Sequence, residues 1–256
     1  MFNFSLILEL TKRDFTERFA GSVLGSLWSF IWPLVNLFIY IVIFSKVMGA
    51  RLPGNSKVYA YGIYVSCGLI PWTAFANSIS RCASVFLDKR YLIQKIRISL
   101  PSLLLYIILS ETVTFFISMC LFFLFLLSTH YQFNASVVVV PYIYYLQTLF
   151  CFGFGLLAAT FTVFIRDLKE IIGIVLQLWF WFTPIVYVRD ILPGFVKKIM
   201  IYNPIYLIIE SYQRIFVYND APAYRSLIIL CVATHLMIFF SYLIFRKLEK
   251  DVRDFL

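Results

Sequence analysis

Long uninterrupted apolar stretches alternate with short polar segments along this chain. Each charge-free stretch reaches about the 20 residues that a helix needs to cross a bilayer. The stretch 112–165 is too long for one crossing, and polar residues at 128–134 divide it. Transmembrane β-strands would alternate apolar and polar positions, which these stretches do not. The pattern therefore predicts an all-α integral membrane protein, a single transmembrane domain over residues 1–256, with six transmembrane helices near residues 26–48, 58–80, 102–127, 137–164, 171–188 and 226–245.

The N-terminal segment predicts an amphipathic helix over about residues 3–20. Its apolar positions follow helical spacing, at Phe4, Ile7, Leu8, Phe15 and Phe19. Two ion pairs with i,i+4 spacing are expected on the opposite side, Glu9 with Arg13 and Asp14 with Arg18. Such a helix is expected to lie along the membrane interface without crossing it.

The connection at 189–225 contains an apolar run that is too short to span the membrane. Asn203 is suited to cap a helix, and Pro204 to be its first residue. We therefore expect two short re-entrant helices at about 192–216.

Composition agrees with this reading. Hydrophobic residues make up 62% of the 256 residues and charged residues 14%, with a mean hydropathy of +0.87, whereas soluble domains are about 25% charged. The net charge of +9 does not indicate nucleic-acid binding, because membrane proteins concentrate Lys and Arg in cytoplasmic loops. With both termini in the cytoplasm, 14 of the 22 basic residues lie inside. We expect a multi-pass protein of a bacterial cytoplasmic membrane in this orientation.

The chain lacks the sequence motifs of ATP hydrolysis, of metal binding and of catalysis. No GxxxxGK phosphate loop is present, so it cannot hydrolyse ATP alone. Its two histidines have no spacing that indicates a metal site or a catalytic triad, and we predict neither metal nor catalytic residues. Arg81 and Glu111 are the intramembrane charges, at depths that permit an ion pair. That pair would be structural or would take part in conformational switching.

Aromatic residues make up 20% of the chain and are mixed with intramembrane amides. Aromatic belts explain most of them, but an amide in hydrocarbon is costly unless it is paired or faces a polar cavity. Sugars offer hydroxyls to amides and CH faces to rings. The mixture therefore predicts either amide bonding between helices or a carbohydrate path lined by Trp32, Asn36, Tyr40, Gln177, Trp181 and Tyr187.

Several stretches in the same order resemble the permease subunit of bacterial polysaccharide ABC exporters. They are "ERFAGSVLGSLWSFIWPLV", the basic loop at 86–97, "FIRDLKEIIGIVLQLWFWFTPIVY", "YNPIYLIIESYQRIF" and "LEKDVRDF". The likeness is strongest to O-antigen export permeases, with capsule and teichoic acid permeases more distant. It implies a homodimer, two copies of a separate ATPase that binds ATP and Mg, and transport of polysaccharide linked to undecaprenyl pyrophosphate. Spans one and five would line the channel.

The resemblance also implies roles for two other segments. A coupling helix at about 86–96, with the interface helix, would meet the ATPase through Phe86, Asp88, Lys89, Arg90, Tyr91, Leu92, Arg13 and Phe15. Without the family likeness, this loop would read as a topology signal or an anionic-lipid patch. The re-entrant segment would form an outer gate, including Lys197, Lys198, Asn203 and Pro204. The two lysines could also simply snorkel to the interface.

Two other classes of function remain open from the sequence. One is a membrane enzyme acting on polyprenyl-linked sugars, and the other is an ion-coupled transporter.

Overall fold

The computed structural model describes residues 4–47, 52, 59–96 and 98–256. Residues 3, 48 and 58, at predicted helix boundaries, and Arg97 of the basic loop lie outside these ranges. Within them the chain is helical and contains no strand. The helices are α1 (Phe4–Glu17), α2 (Trp28–Phe38), α3 (Ala60–Asp88), α4 (Arg90–Lys95), α5 (Leu100–Ser128), α6 (Val140–Phe164), α7 (Leu168–Trp181), α8 (Gly194–Met200), α9 (Pro204–Phe216) and α10 (Tyr224–Phe255). Shorter 3₁₀ turns lie at Gly25–Leu27, Ala135–Val139 and Arg189–Ile191, and a π-helix covers Ile39–Val47.

Four helical segments of the described chain are long and apolar enough to cross a membrane. They are Gly25–Ser45, Leu100–Ser128, Ala135–Phe164 and Tyr224–Phe255. They correspond to four of the six predicted spans, so the multi-pass membrane character is supported while the count of six stays a prediction. The predicted second span lies in α3, whose 29 residues provide the length but include more polar side chains.

The predicted fifth span, 171–188, is not one continuous helix. Helix α7 has 14 residues and ends at Trp181, which gives about 21 Å at 1.5 Å per residue, against a hydrocarbon core of about 30 Å. Pro184 follows shortly after, and proline disfavours helical geometry in the residue before it. The apolar run therefore continues past the point at which the helix stops.

Helix α6 packs between α3 and α10, and glycines allow this close approach. A Cβ atom on Gly153 would lie 3.1 Å from the backbone nitrogen of Ile238 on α10, and one on Gly155 would lie 2.9 Å from Cβ of Cys82 on α3. Small residues at such crossings let membrane helices approach to backbone contact. The buried side chains form one large apolar cluster that includes residues of all these helices.

The first apolar segment changes its helical form along its length. Pro33 lies inside α2, and the backbone widens into the π-helix after Phe38. Gly62 of α3 faces this region closely, since a Cβ atom there would lie 2.7 Å from Cα of Ile41 and 2.9 Å from the carbonyl oxygen of Tyr40. Proline and π-helical turns are common causes of bends. The contact fixes where the π-helix rests on α3.

Helix α1 packs against α5 with only part of the apolar face predicted for it. Ile7 is buried, while Phe4 is 69% and Leu8 48% exposed. Thr11 places its hydroxyl 3.4 Å from the carbonyl oxygen of Tyr106 on α5. The protein-facing side of α1 is therefore partly polar, and much of its apolar face remains free to meet lipid.

The segment predicted as one coupling helix is divided in two. Helix α3 continues through Asp88, Lys89 forms the break, and α4 follows. Two hydrogen bonds join this region to the C-terminal end of the chain. Gln94 donates to the carbonyl oxygen of Leu256 at 2.7 Å, and Arg253 of α10 donates to that of Ile98 at 3.0 Å. The segment predicted to couple to an ATPase is thereby attached to the C-terminal end of the chain.

Candidate functional site

An ion pair between α3 and α5 lies at the centre of the site. Nη1 of Arg81 donates to Oε1 of Glu111 at 2.7 Å, and the Glu111 side chain is 2% exposed. This confirms the ion pair that the sequence permitted. A carboxylate so deeply buried is stable in its charged form only while it remains paired and hydrogen-bonded.

Helix α1 completes this pair into a four-charge cluster, which we call the ion cluster: Asp14, Arg18, Arg81 and Glu111. Arg18 donates to the same Oε1 of Glu111 at 2.6 Å, and Arg81 also donates to Asp14. Asp14 and Arg18 are themselves 3.3 Å apart. Two carboxylates thus alternate with two guanidiniums, and the formal charges cancel.

The sequence predicted the Asp14–Arg18 pair on the side of α1 opposite its apolar residues, and the pair is present. Both residues face α5, where Ser110 accepts from Arg18 at 2.9 Å and donates to Asp14 at 2.6 Å. Arg13 pairs with Glu17 at 2.5 Å, not with the predicted Glu9. That hydrogen bond to Glu17 raises the pKa of the Arg13 guanidinium above its ordinary value. Charges on α3 and α5 attract the polar side of α1 inward, which a single-helix pattern cannot show.

A groove with polar and apolar lining, which we call the polar groove, lies between α2 with the start of the π-helix, α3 and α5. It has a volume of about 200 Å³. The polar residues of each helix are one turn apart, so each helix contributes a strip. The polar and aromatic residues lining it are Trp32, Asn36, Tyr40, Thr73, Asn77, Thr114 and Ser118.

The groove and the ion cluster are neighbours along α3 and α5. Asn77 lies one helical turn before Arg81 on α3, and Thr114 lies one turn after Ser110 on α5. The Thr114 hydroxyl is 3.5 Å from Nη1 of Arg18. Sequence analysis identified the α2 side of this groove but missed its α3 and α5 sides, which consist of unremarkable threonine, serine and asparagine residues spaced one turn apart.

The structure brings together only half of the predicted channel residues. Trp32, Asn36 and Tyr40 share the groove, whereas the α7 residues do not line it. Trp181 is 61% exposed, and Tyr187, beyond the helix end, donates to the carbonyl oxygen of Trp181 at 2.7 Å. Gln177 is also exposed. Within the described part of the chain, no hydrogen bond joins the Asn36 or Gln177 side chain to another helix.

A second groove lies between α1 and the α3–α4 corner, and we call it the docking groove after the role that the sequence predicts for its residues. Its volume is about 390 Å³. It brings together five residues predicted to contact an ATPase, namely Arg13, Asp88, Lys89, Tyr91 and Leu92. Tyr91 is 69% exposed. Lys95 lies over its ring at 4.1 Å from the centroid.

Three other predicted coupling residues lie elsewhere. Phe86 is 1% exposed and packs against Phe245 at 6.5 Å between ring centroids, so it contributes to the core and offers no surface to a partner. Phe15 stacks edge-on with Phe19 at 6.1 Å. Arg90 is exposed at the start of α4. The helix break at Lys89 explains the burial of Phe86, which belongs to the end of the long α3 and not to the surface turn.

Comparison with known sequences now assigns the chain. The sequence profile of the ABC-2 type transporter matches residues 5–217. The chain belongs to the ABC-2 type transporter family. Membership confirms the resemblance to ABC exporter permeases and makes the chain a transporter protein, not an enzyme.

Individual relatives of this ABC-2 type transporter cover nearly its whole length. An O-antigen export system permease protein, RfbA, of Myxococcus xanthus is 27% identical over 251 residues, which cover 97% of this chain and 94% of that protein. A protein of the same name from Klebsiella pneumoniae is 29% identical over 247 residues, which cover 96% of this chain and 93% of that protein.

The predicted gate residues of this ABC-2 type transporter lie on α8 and α9. Asn203 caps α9, accepting hydrogen bonds from the backbone of Ile205 at 3.1 Å and Tyr206 at 3.3 Å, and the helix begins at Pro204 as predicted. Trp179 of α7 also donates to the Asn203 side chain at 3.0 Å. One asparagine thereby attaches the start of α9 to the end of α7.

The two predicted gate lysines are close together at the end of a short helix. Lys197 and Lys198 lie in the last turn of α8, where Lys198 is exposed and Lys197 partly buried. Positive charge at a helix C-terminus is electrostatically favourable. Their place is therefore compatible with an interfacial position.

Proposed function

We propose that this chain is the transmembrane subunit of an ATP-driven exporter that moves lipid-linked polysaccharide of the O-antigen type across the bacterial cytoplasmic membrane. The observation that carries the proposal is its similarity to O-antigen export permeases across at least 96% of its length. A match of this extent includes the groove, the ion cluster and the docking groove.

The polar groove supports a sugar substrate. Amides and hydroxyls can exchange hydrogen bonds with sugar hydroxyls, and the indole of Trp32, which is 60% exposed, offers a face to sugar CH groups. The groove opens on the surface of a single subunit. A homodimer would enclose it, and we propose that the exposed Gln177 and Trp181 of α7 then line the same channel.

The docking groove supports coupling to a separate ATPase. The chain has no phosphate loop, so the energy must enter through a surface. In the docking groove, exposed Tyr91 provides an aromatic anchor among charged neighbours such as Asp88 and Lys89, the mixture typical of binding hot spots. We propose that two copies of the ATPase, which bind ATP and Mg, dock there from the cytoplasm, the side on which both termini lie.

The carrier lipid is proposed on chemical grounds. A lipid-linked polymer of this type carries a pyrophosphate, and Lys197 and Lys198 lie together at the end of α8 where an anionic headgroup could approach. Undecaprenyl pyrophosphate is the carrier we expect. If replacement of both lysines leaves export unchanged, their side chains only extend to the membrane interface and do not bind the carrier.

Gene deletion with complementation tests the proposal. Deletion should remove the surface polysaccharide and cause lipid-linked polymer to accumulate inside the cell. The chain should restore export only together with an ATPase whose phosphate-loop lysine is intact. Turnover of a lipid-linked sugar by the purified chain alone would contradict the proposal. Export that survives ATP depletion and stops when the proton gradient collapses would contradict it too.

A further inference from the structure

A separate polar cavity lies beyond the groove, between the start of α3, the segment after α7 and helix α9. Its volume is about 470 Å³, within the range of about 300–1,000 Å³ that ligand sites occupy. Four of its lining residues, Tyr206, Glu210, Gln213 and Arg214, lie in the segment predicted as the outer gate, but none of them was predicted individually to be functional. In the proposed orientation it lies at the outer end of the protein.

The floor of this cavity is held by hydrogen bonds from two helices. The Tyr64 hydroxyl of α3 lies 3.1 Å from the carbonyl oxygen of Pro184 and 2.9 Å from that of Tyr187. Gln213 of α9 donates to the same Pro184 carbonyl at 3.0 Å. Tyr64 and Gln213 are themselves 2% and 4% exposed. Supported in this way, the lining is preorganised and needs little reordering to receive a ligand.

The walls carry two loosely held ion pairs. Arg189 lies 3.5 Å from Glu210, and Arg214 lies 3.3 Å from Asp220. Except for Glu210, at 22%, each of these side chains is at least one third exposed. The formal charges cancel. Such pairs contribute little to stability, so their donors and acceptors can turn toward a ligand at small cost.

One buried group in the cavity has no hydrogen-bond partner. Tyr206 is 1% exposed, and its hydroxyl has no partner at hydrogen-bond geometry, although the Glu210 and Arg189 side chains lie next to it. The Arg189 guanidinium lies over the same ring at 5.7 Å from its centroid. A buried hydroxyl without a partner costs free energy, and a ligand with hydroxyl groups in the cavity would satisfy it.

We propose that this cavity binds a neutral sugar residue of the polymer, near the end of the transport path. The inference rests on the proposed function for the identity of the ligand. Paired donors and acceptors of both signs suit a polyhydroxylated ligand, whereas these two arginines and two carboxylates together offer no excess positive charge to a phosphate. Binding there would hold the emerging polymer at a fixed position beside α9.

Direct binding by the purified full-length chain tests this site. The probe is a neutral tri- or tetrasaccharide released from the polysaccharide of the bacterium that encodes the chain, followed by saturation-transfer NMR. The protein is held in lipid nanodiscs, since maltoside detergents would present sugars of their own. Tyr206→Phe should weaken binding about 3- to 10-fold, the effect of one hydrogen bond. Glu210→Gln, which keeps the shape, should weaken it similarly.

Tyr212→Phe is the matched control. Tyr212 lies on the same helix, its hydroxyl is likewise buried without a partner, and it does not line the cavity. Its replacement should leave affinity unchanged. Equal effects of Tyr206→Phe and Tyr212→Phe would overturn the site, as would displacement of the probe by pyrophosphate. Absence of binding by a preparation that exports polymer when combined with its ATPase would overturn the site while leaving the proposed function intact.

Discussion

Glu111→Gln should destabilise the protein strongly, because it removes the most buried charge of the ion cluster. Both guanidiniums donate to a single oxygen of Glu111, at 2.7 Å from Arg81 and 2.6 Å from Arg18. Glutamine keeps the shape and one carbonyl acceptor but loses the charge. Each charge-assisted hydrogen bond then falls from about 1.5–3 to about 0.5–1.5 kcal/mol. With both arginines about a quarter exposed, at 28% and 26%, we expect a loss of about 2–3 kcal/mol.

A double-mutant cycle with Arg18→Gln separates the charge effect from other consequences. Glu111→Gln alone leaves one excess positive charge, and adding Arg18→Gln restores neutrality while the Arg81–Asp14 pair remains. The double variant should therefore be at least about 1 kcal/mol more stable than the sum of the single effects. Equilibrium unfolding in mixed micelles, followed by tryptophan fluorescence, measures each free energy.

Glu17→Gln provides the matched control on the same helix. The Arg13–Glu17 pair is exposed, with side-chain exposures of 73% and 49%, and such pairs contribute about 0–1 kcal/mol. The reasoning is refuted if Glu111→Gln costs no more than Glu17→Gln. It is also refuted if the cycle is additive within about 0.5 kcal/mol.

Three further predictions concern the groove, the docking groove and the helix packing. Asn36→Leu should reduce polysaccharide export, measured on the cell surface, without reducing the amount of complex that copurifies with the ATPase; normal export would remove Asn36 from the path. Charge reversal of Asp88 and Lys89 together should abolish that copurification, while Lys198→Glu, outside the docking groove, should not; retained copurification would locate docking elsewhere. Gly62→Ala should cost about 1–3 kcal/mol by overpacking, since its Cβ would meet backbone atoms at 2.7–2.9 Å; unfolding measurements showing no loss would mean that the π-helix moves freely away from α3.

Much of the helical layout could be predicted from apolar run lengths. The Asn203 cap and the start of α9 at Pro204 were also predictable, because capping depends on neighbours in sequence. A hydropathy pattern does not show the end of α7, because the run from Trp181 to Val188 carries no charge; Pro184, a local signal against a continuing helix, does indicate it.

The ion cluster contains contacts that sequence patterns could not predict. Arg81 and Glu111 were recognisable as a pair because both lie in apolar surroundings. Asp14 and Arg18 formed a satisfactory pair by themselves at i,i+4 spacing, so nothing local indicated that they face inward. Only the packing of α1 on α5 reveals that they neutralise the two intramembrane charges.

The sequence by itself determined the membrane class, the helical character, the lack of an ATP-binding loop and the family likeness, since these depend on composition and on residues close together along the chain. The tertiary structure alone decided which side chains meet. It placed Phe86 in the core, joined Asn36 to Asn77 and Thr114 in one groove, and brought Tyr206 to Arg189 beside a cavity. Those contacts join residues far apart in sequence, and they depend on how helices pack, which no single segment specifies.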